Sequence, residues 1–184
     1  MKKYSSVKTA IGTLHAATTE RGVCSIAVRV GERDFRRANP GAVRDDAALS
    51  GTLELLRRYV AGEDVSPASV SVDISGGTKL QRSVWSKLRQ IPRGSAVSYK
   101  ELAGMVGRPR AARPVGNIVG QNPVPIVVPC HRVIRADGTL GGFGCGVDIK
   151  KYLLETVEKV KVPHAGRQGR GKPRRPQRQR PRTS

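Results

Sequence analysis

Two side chains that can do chemistry stand next to each other in the stretch VPIVVPCHRVI, residues 124–134: the thiol of Cys130 and the imidazole of His131. Arg132 follows with a positive charge. A free thiol titrates near about 8.5 and is mostly neutral at physiological pH, so a nucleophilic cysteine needs a base or a positive field. Successive residues of a strand point to opposite faces, so the pair can meet only where the backbone leaves the strand conformation. Pro129 makes that possible, because proline fixes φ and removes a ladder donor. A bridging water would also connect them. The plain alternative is a buried structural cysteine beside a histidine that caps a carbonyl. The other two cysteines, Cys24 and Cys145, are widely spaced and form no CxxC pair, so a zinc site is not expected. Free thiols suit a reducing compartment.

The surroundings narrow the targets of such a thiol. Net charge is +20 and unevenly spread. Residues 1–77 carry 11 basic and 9 acidic side chains, residues 78–160 carry 14 and 5, and residues 161–184 carry 9 and none. An excess of +9 on a segment that can fold points to a polyanion, and nucleic acid is the default. A thiolate beside DNA is poorly matched to hard, anionic phosphate and well matched to an alkyl carbon on a damaged base. No apolar run approaches the roughly 18 residues of a membrane span, and MKKYSSVKTA has no apolar core of a secretory signal.

The elements that must position the pair can be read from periodicity. Alternation predicts strands at 11–14 and 23–28 with a turn at Glu20-Arg21-Gly22, and a last strand over Ser69–Ile74. Leu49, Leu53, Leu56 and Val60 recur at helical spacing over 46–61. Ser75-Gly76-Gly77 marks a boundary, dividing an N-terminal α/β domain (1–77) from a DNA-binding segment (78–160). Beyond it Thr78 with Gln81, and Ser98 with Glu101, read as capping boxes opening two helices. A third helix over about 110–119 completes a helix-turn-helix pattern in a basic context, against the alternative of a plain three-helix bundle. Val124–Val128 reads as a buried strand, Gly141–Gly144 as a flexible loop and about 148–160 as a final helix. Residues 161–184, rich in Arg, Pro and Gln, cannot bury enough apolar surface to order themselves and read as disordered.

PCHRVI at 129–134 resembles the active-site signature of the O6-alkylguanine-DNA alkyltransferases. Val84-Trp85 with Ile91-Pro92, Ser98-Tyr99 with Leu102-Ala103, Ala111-Ala112-Arg113, Asn122-Pro123 and Gly141-Gly142-Phe143 fall in that family's order and spacing, and Ile11–Leu14 resembles its N-terminal hairpin. The resemblance covers roughly residues 4–160. It implies a ribonuclease-H-like α/β domain followed by a mostly α, winged-helix-like domain carrying a helix-turn-helix. It also implies irreversible, stoichiometric transfer of the alkyl group from O6-methylguanine, and from O4-methylthymine, in duplex DNA to the protein's own cysteine.

On these positions the resemblance makes Cys130 the acceptor, His131 its base through water, and Tyr99 a proton donor toward the departing guanine that also crowds a backbone phosphate. Arg113 would fill the gap left by the extruded base, with Ala111, Ala112 and Gly116 small enough to sit in the minor groove. Pro125, backbone near Val133, Phe143 and Lys150 would complete the substrate pocket, and Asn122 would act as a hinge. No cofactor and no metal are implied. The expected partner is double-stranded DNA carrying O6-alkylguanine, bound by a monomer with no membrane association. Its location would be the cytoplasm (at the nucleoid) in a bacterium or the nucleus in a eukaryote.

Four departures from the family pattern carry consequences. The family places a glutamate on the last helix to orient the histidine, and that position is Val157 here. Glu155 and Glu158 flank it, and neither points the same way on a regular helix without a register shift, so either thiolate formation is weakened and Val157→Glu should speed transfer, or Glu158 substitutes. Pro114 follows Arg113 and could kink the helix at a cost of about 3 kcal/mol, less if the helix starts near Pro109. Cys145 stands where the loop usually has glycine and would narrow the pocket, or be a harmless surface thiol. Phe143 lacks the hydroxyl of the tyrosine that is also common there. These departures keep a second reading in view, a non-catalytic lesion-binding or regulatory protein of the same fold, alongside an unrelated Cys-His hydrolase.

Overall fold

A computed structural model describes residues 1–161; the tail expectation falls outside those residues, apart from Lys161. The fold is mixed α/β. Strands β1 (Lys3–Thr9), β2 (Gly12–Thr19) and β3 (Gly22–Val28) form an antiparallel meander, and the two-residue β4 (Val43–Arg44) pairs parallel to β1, giving the order β3-β2-β1-β4. The β1–β2 register pairs Lys3 with Thr18 and Thr9 with Gly12. Between β3 and β4 lies a short helix α1 (Glu32–Ala38), whose Phe35 is buried against Tyr4 and Ala17. Helix α2 (Asp46–Val60) is capped by Asp45, which accepts from the Ala48 amide at 2.9 Å, and packs Leu49, Leu53, Leu56 and Val60 into the core.

After the Ser75–Gly77 break come α3 (Lys79–Leu88), the two-residue β5 (Val97–Ser98), α4 (Tyr99–Met105) and α5 (Ala112–Gly120). Both expected capping boxes are present, at Thr78/Gln81 and Ser98/Glu101. Helices α4 and α5 pack together across a turn that includes Gly107, at φ +70°. Strand β6 (Val133–Ile134) pairs parallel with β5, and α6 (Val147–Tyr152) leads into a π-helical turn at Leu153–Val157. One hydrophobic cluster runs from Ile11 on β2's approach through Leu56, Trp85 and Val119 to Val157, so both sides of the break share a core.

Two expected strands are not strands. Ser69–Ile74 holds the end of a 3-10 turn (Pro67–Ser69) and then a single bridge, Val72 to Val23. Val124–Val128 is a bend closed by a bond from the Val128 amide to the Val124 carbonyl at 2.9 Å, with Ile126 at φ +76°. The cause is visible in composition: Pro123, Pro125 and Pro129 each lack the N–H that a ladder needs. The reason for expecting a kink at Pro114 falls away. Helix α5 starts at Ala112, so Pro114 is its third residue, where a backbone N–H would have no intrahelical partner to lose. The final helix is also not regular over 148–160, because the π turn interrupts it.

Candidate active site

The Cys130–Arg132 segment is a 3-10 turn, which takes the pair out of the strand geometry that would have set them on opposite faces. Cys130 is buried, and His131 is fully so. The Asn122 side chain organises the approach: its Nδ2 donates to the Val128 carbonyl at 2.7 Å and to Cys130 Sγ at 3.0 Å, and its Oδ1 accepts from the Val124 amide at 3.0 Å. The hinge expected at Asn122 is therefore a three-point tie between the end of α5, the proline-rich bend and the sulfur. Burial pushes the Cys130 thiol up to about 11, against the pull of the Asn122 hydrogen bond and the Lys150 charge. The resting sulfur is thus a protonated thiol, and making it a nucleophile requires a partner that takes the proton as the sulfur reacts.

His131 carries the free basic nitrogen that such a partner needs. Its Nε2 lies 2.8 Å from Glu158 Oε1. Arg132 donates to the same carboxylate through Nε, at 3.0 Å to each oxygen, and through an amino group at 2.7 Å. Burial works against the Glu158 charge, but the hydrogen bonds from His131, Arg132 and Tyr59 outweigh it and hold the carboxyl well below its usual range. An ionised carboxylate can only accept, so Nε2 carries the hydrogen and Nδ1 is left as the basic nitrogen. Nδ1 is buried and has no hydrogen-bond partner in the protein. Burial lowers the His131 pKa, which keeps the ring neutral and able to receive a proton. Arg132, expected as a charge acting on the thiol, is spent instead on Glu158 and on the Ile91 carbonyl, 2.6 Å away.

Glu158 reaches His131 because of the π turn. The Glu158 amide bonds the Leu153 carbonyl, five residues back, at 2.9 Å. One extra residue is thereby accommodated in the turn, which is the register shift that a regular helix lacked. Val157 points into the core and is 1% exposed, while Glu155 faces outward toward Lys151 at 3.9 Å. Of the two expected outcomes, the geometry favours substitution by Glu158 over loss of the orienting carboxylate, and it removes the ground for expecting Val157→Glu to speed transfer. A carboxylate at 157 would enter the apolar core.

A cavity of about 200 Å³ opens onto Cys130 and is walled by Asn122, Pro125, Phe143, Cys145 and, from β3 and the chain just after it, Ile26 and Val30. Cys145 is thus a wall residue of the Cys130 cavity; burial raises its thiol to about 12. Phe143 meets the His131 ring edge-on, with centroids 6.4 Å apart. Lys150, expected in the pocket, is instead fully buried beneath the loop. Its Nζ donates to the carbonyls of Val133 at 2.6 Å, Gly142 at 3.3 Å and Leu140, and burial lowers its pKa to about 8. The Val133 backbone carbonyl is occupied by that lysine.

On the outer side of the same loop lies an open groove of about 670 Å³, lined by Tyr99, Ala112, Arg113, Gly116, Arg135 and Gly141 among others. Tyr99 stands between α5 and the loop. A Cβ at Gly116 would come within 3.3 Å of its ring, and one at Gly141, which sits at φ +68°, within 3.0 Å of its hydroxyl. Gly116 therefore makes room for the tyrosine, in addition to any closeness to DNA. Ala111 caps α5 and packs on the core, away from the groove. Arg113 and Arg135 are exposed on the groove. Arg135, Tyr59, and Ile26–Val30 as cavity wall are not singled out by the sequence, and Glu158 stands there only as the alternative to a carboxylate at 157. For Glu158 the flanking position was the signal. For Arg135 it was a basic residue three places past the reactive turn.

The second half of the chain, residues 79–159, matches the family described as 6-O-methylguanine DNA methyltransferase, DNA binding domain. The chain belongs to the methylated-DNA–protein-cysteine methyltransferase family: it is 39% identical over 163 residues to the member from Mycobacterium tuberculosis, covering 89% of this chain and 96% of that protein. A member from Methanosarcina barkeri is 35% identical over 84% of this chain and 96% of its own length. Among solved structures, Mycobacterium tuberculosis OGT in complex with DNA superposes with a TM-score of 0.77 at 36% identity, covering 85% of this chain and 93% of that one.

Proposed function

We propose that this protein repairs DNA by moving the methyl group of O6-methylguanine, and of O4-methylthymine, onto its own Cys130. As the sulfur attacks, its proton leaves through a water to His131 Nδ1, and the imidazolium formed is held by Glu158. The new bond is sulfur to methyl carbon; the bond that breaks is methyl carbon to guanine O6. The electron pair stays with the guanine, which takes a proton from the Tyr99 hydroxyl. S-methylcysteine is a stable thioether, so the protein acts once and needs no cofactor.

Duplex DNA would lie along the groove beside Arg113 and Arg135, with α5 in the minor groove and Arg113 in the space of the extruded base. Base extrusion costs a few kcal/mol and least for a lesion that already pairs badly. The methylated base would then reach the cavity bounded by Pro125 and Phe143. With this reading go a ribonuclease-H-like unit at 1–77, a winged-helix-like unit at 78–160 and a monomer as the acting form.

The observation that carries the reading is the pairing of a buried thiol with an imidazole whose Nε2 is fixed on Glu158 and whose Nδ1 has no protein partner. A structural cysteine beside a carbonyl-capping histidine would not need that carboxylate. The test is single-turnover incubation with a duplex carrying one labelled O6-methylguanine, followed by intact-mass and peptide analysis. One methyl group per protein on Cys130 is the expected result. Binding without transfer would support a lesion-binding protein of the same fold, and repeated turnover would support a hydrolase.

A further inference from the structure

The relay's carboxylate is contacted from a part of the chain that the transfer chemistry does not otherwise use. Helix α2, in the first half of the sequence, ends by placing Tyr59 fully inside the protein. Its hydroxyl donates to Glu158 Oε1, the same oxygen that faces His131 Nε2, and lies 3.3 Å from that nitrogen. The ring is fixed in turn by Arg93, whose guanidinium sits 5.5 Å from its centroid. Arg93 also donates to the Val157 carbonyl of the π turn at 3.2 Å and to the Val65 carbonyl after α2 at 3.0 Å. A buried tyrosine needs a hydrogen-bond partner, but a neutral carbonyl would satisfy it. Here the phenol shares the one oxygen on which the imidazole depends.

We propose that Tyr59 is a positioning residue for alkyl transfer, tuning the basicity of His131 through Glu158 from the N-terminal side of the molecule. The inference rests on the alkyl-transfer reading above. Glu158 Oε1 serves Tyr59, His131 and Arg132 at once, and each donor draws on the same lone pairs. A phenol that donates to Oε1 weakens the hold of that oxygen on the imidazolium, and fixes which face of the carboxylate Nε2 meets. The other charged or titratable groups facing the pair are Arg132 from the same turn, Cys130, Lys150 from α6 and Arg93 above the phenol ring. None of them contacts both Oε1 and Nε2 as the Tyr59 hydroxyl does.

The sign of the effect follows. Without the phenol's hydrogen bond Oε1 becomes a better acceptor for the imidazolium, so His131 stays protonated to higher pH and the acid limb of the rate profile moves upward. The experiment measures single-turnover methyl transfer from an O6-methylguanine duplex against pH for the wild type, Tyr59→Phe and Tyr152→Phe. Tyr152 donates to the Val60 carbonyl at 3.0 Å, so its variant loses a hydrogen bond at the same helix end without touching Glu158 or His131. For Tyr59→Phe we expect a plateau rate lower by about 3- to 10-fold and an acid limb raised by roughly half to one pH unit. Tyr152→Phe should leave the limb in place. Incorporating 3-fluorotyrosine at 59 keeps the ring and strengthens the donor, and should move the limb the other way. It also decides the matter if Tyr59→Phe fails to fold. A limb that stays put in both Tyr59 variants, or moves equally in Tyr152→Phe, overturns the proposal. Absence of transfer in the wild type overturns the alkyl-transfer reading instead, and the two failures are told apart by that one control.

Discussion

The buried relay and the open groove lie on two sides of one loop, and they are built in opposite ways. Cys130, His131, Arg132 and Glu158 are all buried, and every one of these side chains is tied to a named partner. Arg113 and Arg135 sit on the groove exposed to solvent, and neither makes a side-chain hydrogen bond or ion pair among the described residues. A proton relay needs fixed distances, and fixing charged groups in a low-dielectric interior demands many hydrogen bonds. Contact with a polyanion needs cations that are still solvated and free to meet phosphates. The loop Gly141–Cys145 belongs to both: Phe143 lines cavity and groove alike and packs on His131, while Lys150 holds the loop's carbonyls from below.

The sharpest break between the two regions is Cys130→Ala, which should abolish transfer while leaving duplex binding unchanged in a mobility or anisotropy titration. Next, His131→Ala should slow transfer by about 10²- to 10⁴-fold, the usual range for a general base, with binding again intact. Both results together would show that the relay does chemistry and the groove does not.

Glu158→Ala should cost about 3–5 kcal/mol of stability in denaturant unfolding, because Arg132 is left as an uncompensated buried charge. The same contacts predict a pH dependence. Glu158 is held well below the ordinary carboxylate value of 4.5, so its stabilisation is complete above that pH and lost as the pH falls through the folded value. His131 is lowered from 6.5, so folded and unfolded forms part below that value too, and again stability falls with acid. Melting temperature followed downward from pH 7 should drop in the wild type. Val157→Glu should destabilise by roughly 2–5 kcal/mol, through a carboxylate in the core, and should not accelerate transfer. The smallest effect expected is in the groove: Arg113→Ala should weaken duplex binding and flatten the plot of log affinity against log salt by about one unit, with the transfer chemistry on bound DNA affected less.

Much of this arrangement is legible in the residues themselves. Leu49, Leu53, Leu56 and Val60, the two capping boxes and the PCHRVI motif led directly to α2, α3, α4 and the reactive turn, because local periodicity and side-chain caps decide those elements. Strand β1 was not singled out: KYSSVKT has little apolar content, and its pairing with β2 is decided by the tight turn before Gly12. Helix α1 has one buried residue, Phe35, too little for a periodic signal. At 124–128 apolar content suggested a strand, while three prolines within seven residues had already removed its donors. Glu158 was legible only as one of two alternatives. Which of 155, 157 and 158 faces the histidine depends on whether the helix closes its last turn four or five residues back, and that is decided by packing around Tyr59, Arg93 and Val157.

The π turn at Leu153–Val157 also separates two quantities that a straight helix would lock together: how long the last helix is, and where it sets down its acid. The wider coil takes up a surplus residue as slack in a rope is taken up by a loop. Removing one residue from that coil should let the segment tighten to an ordinary α-helix with the carboxylate still beside the imidazole, so this end of the molecule can be shortened without dismantling its chemistry.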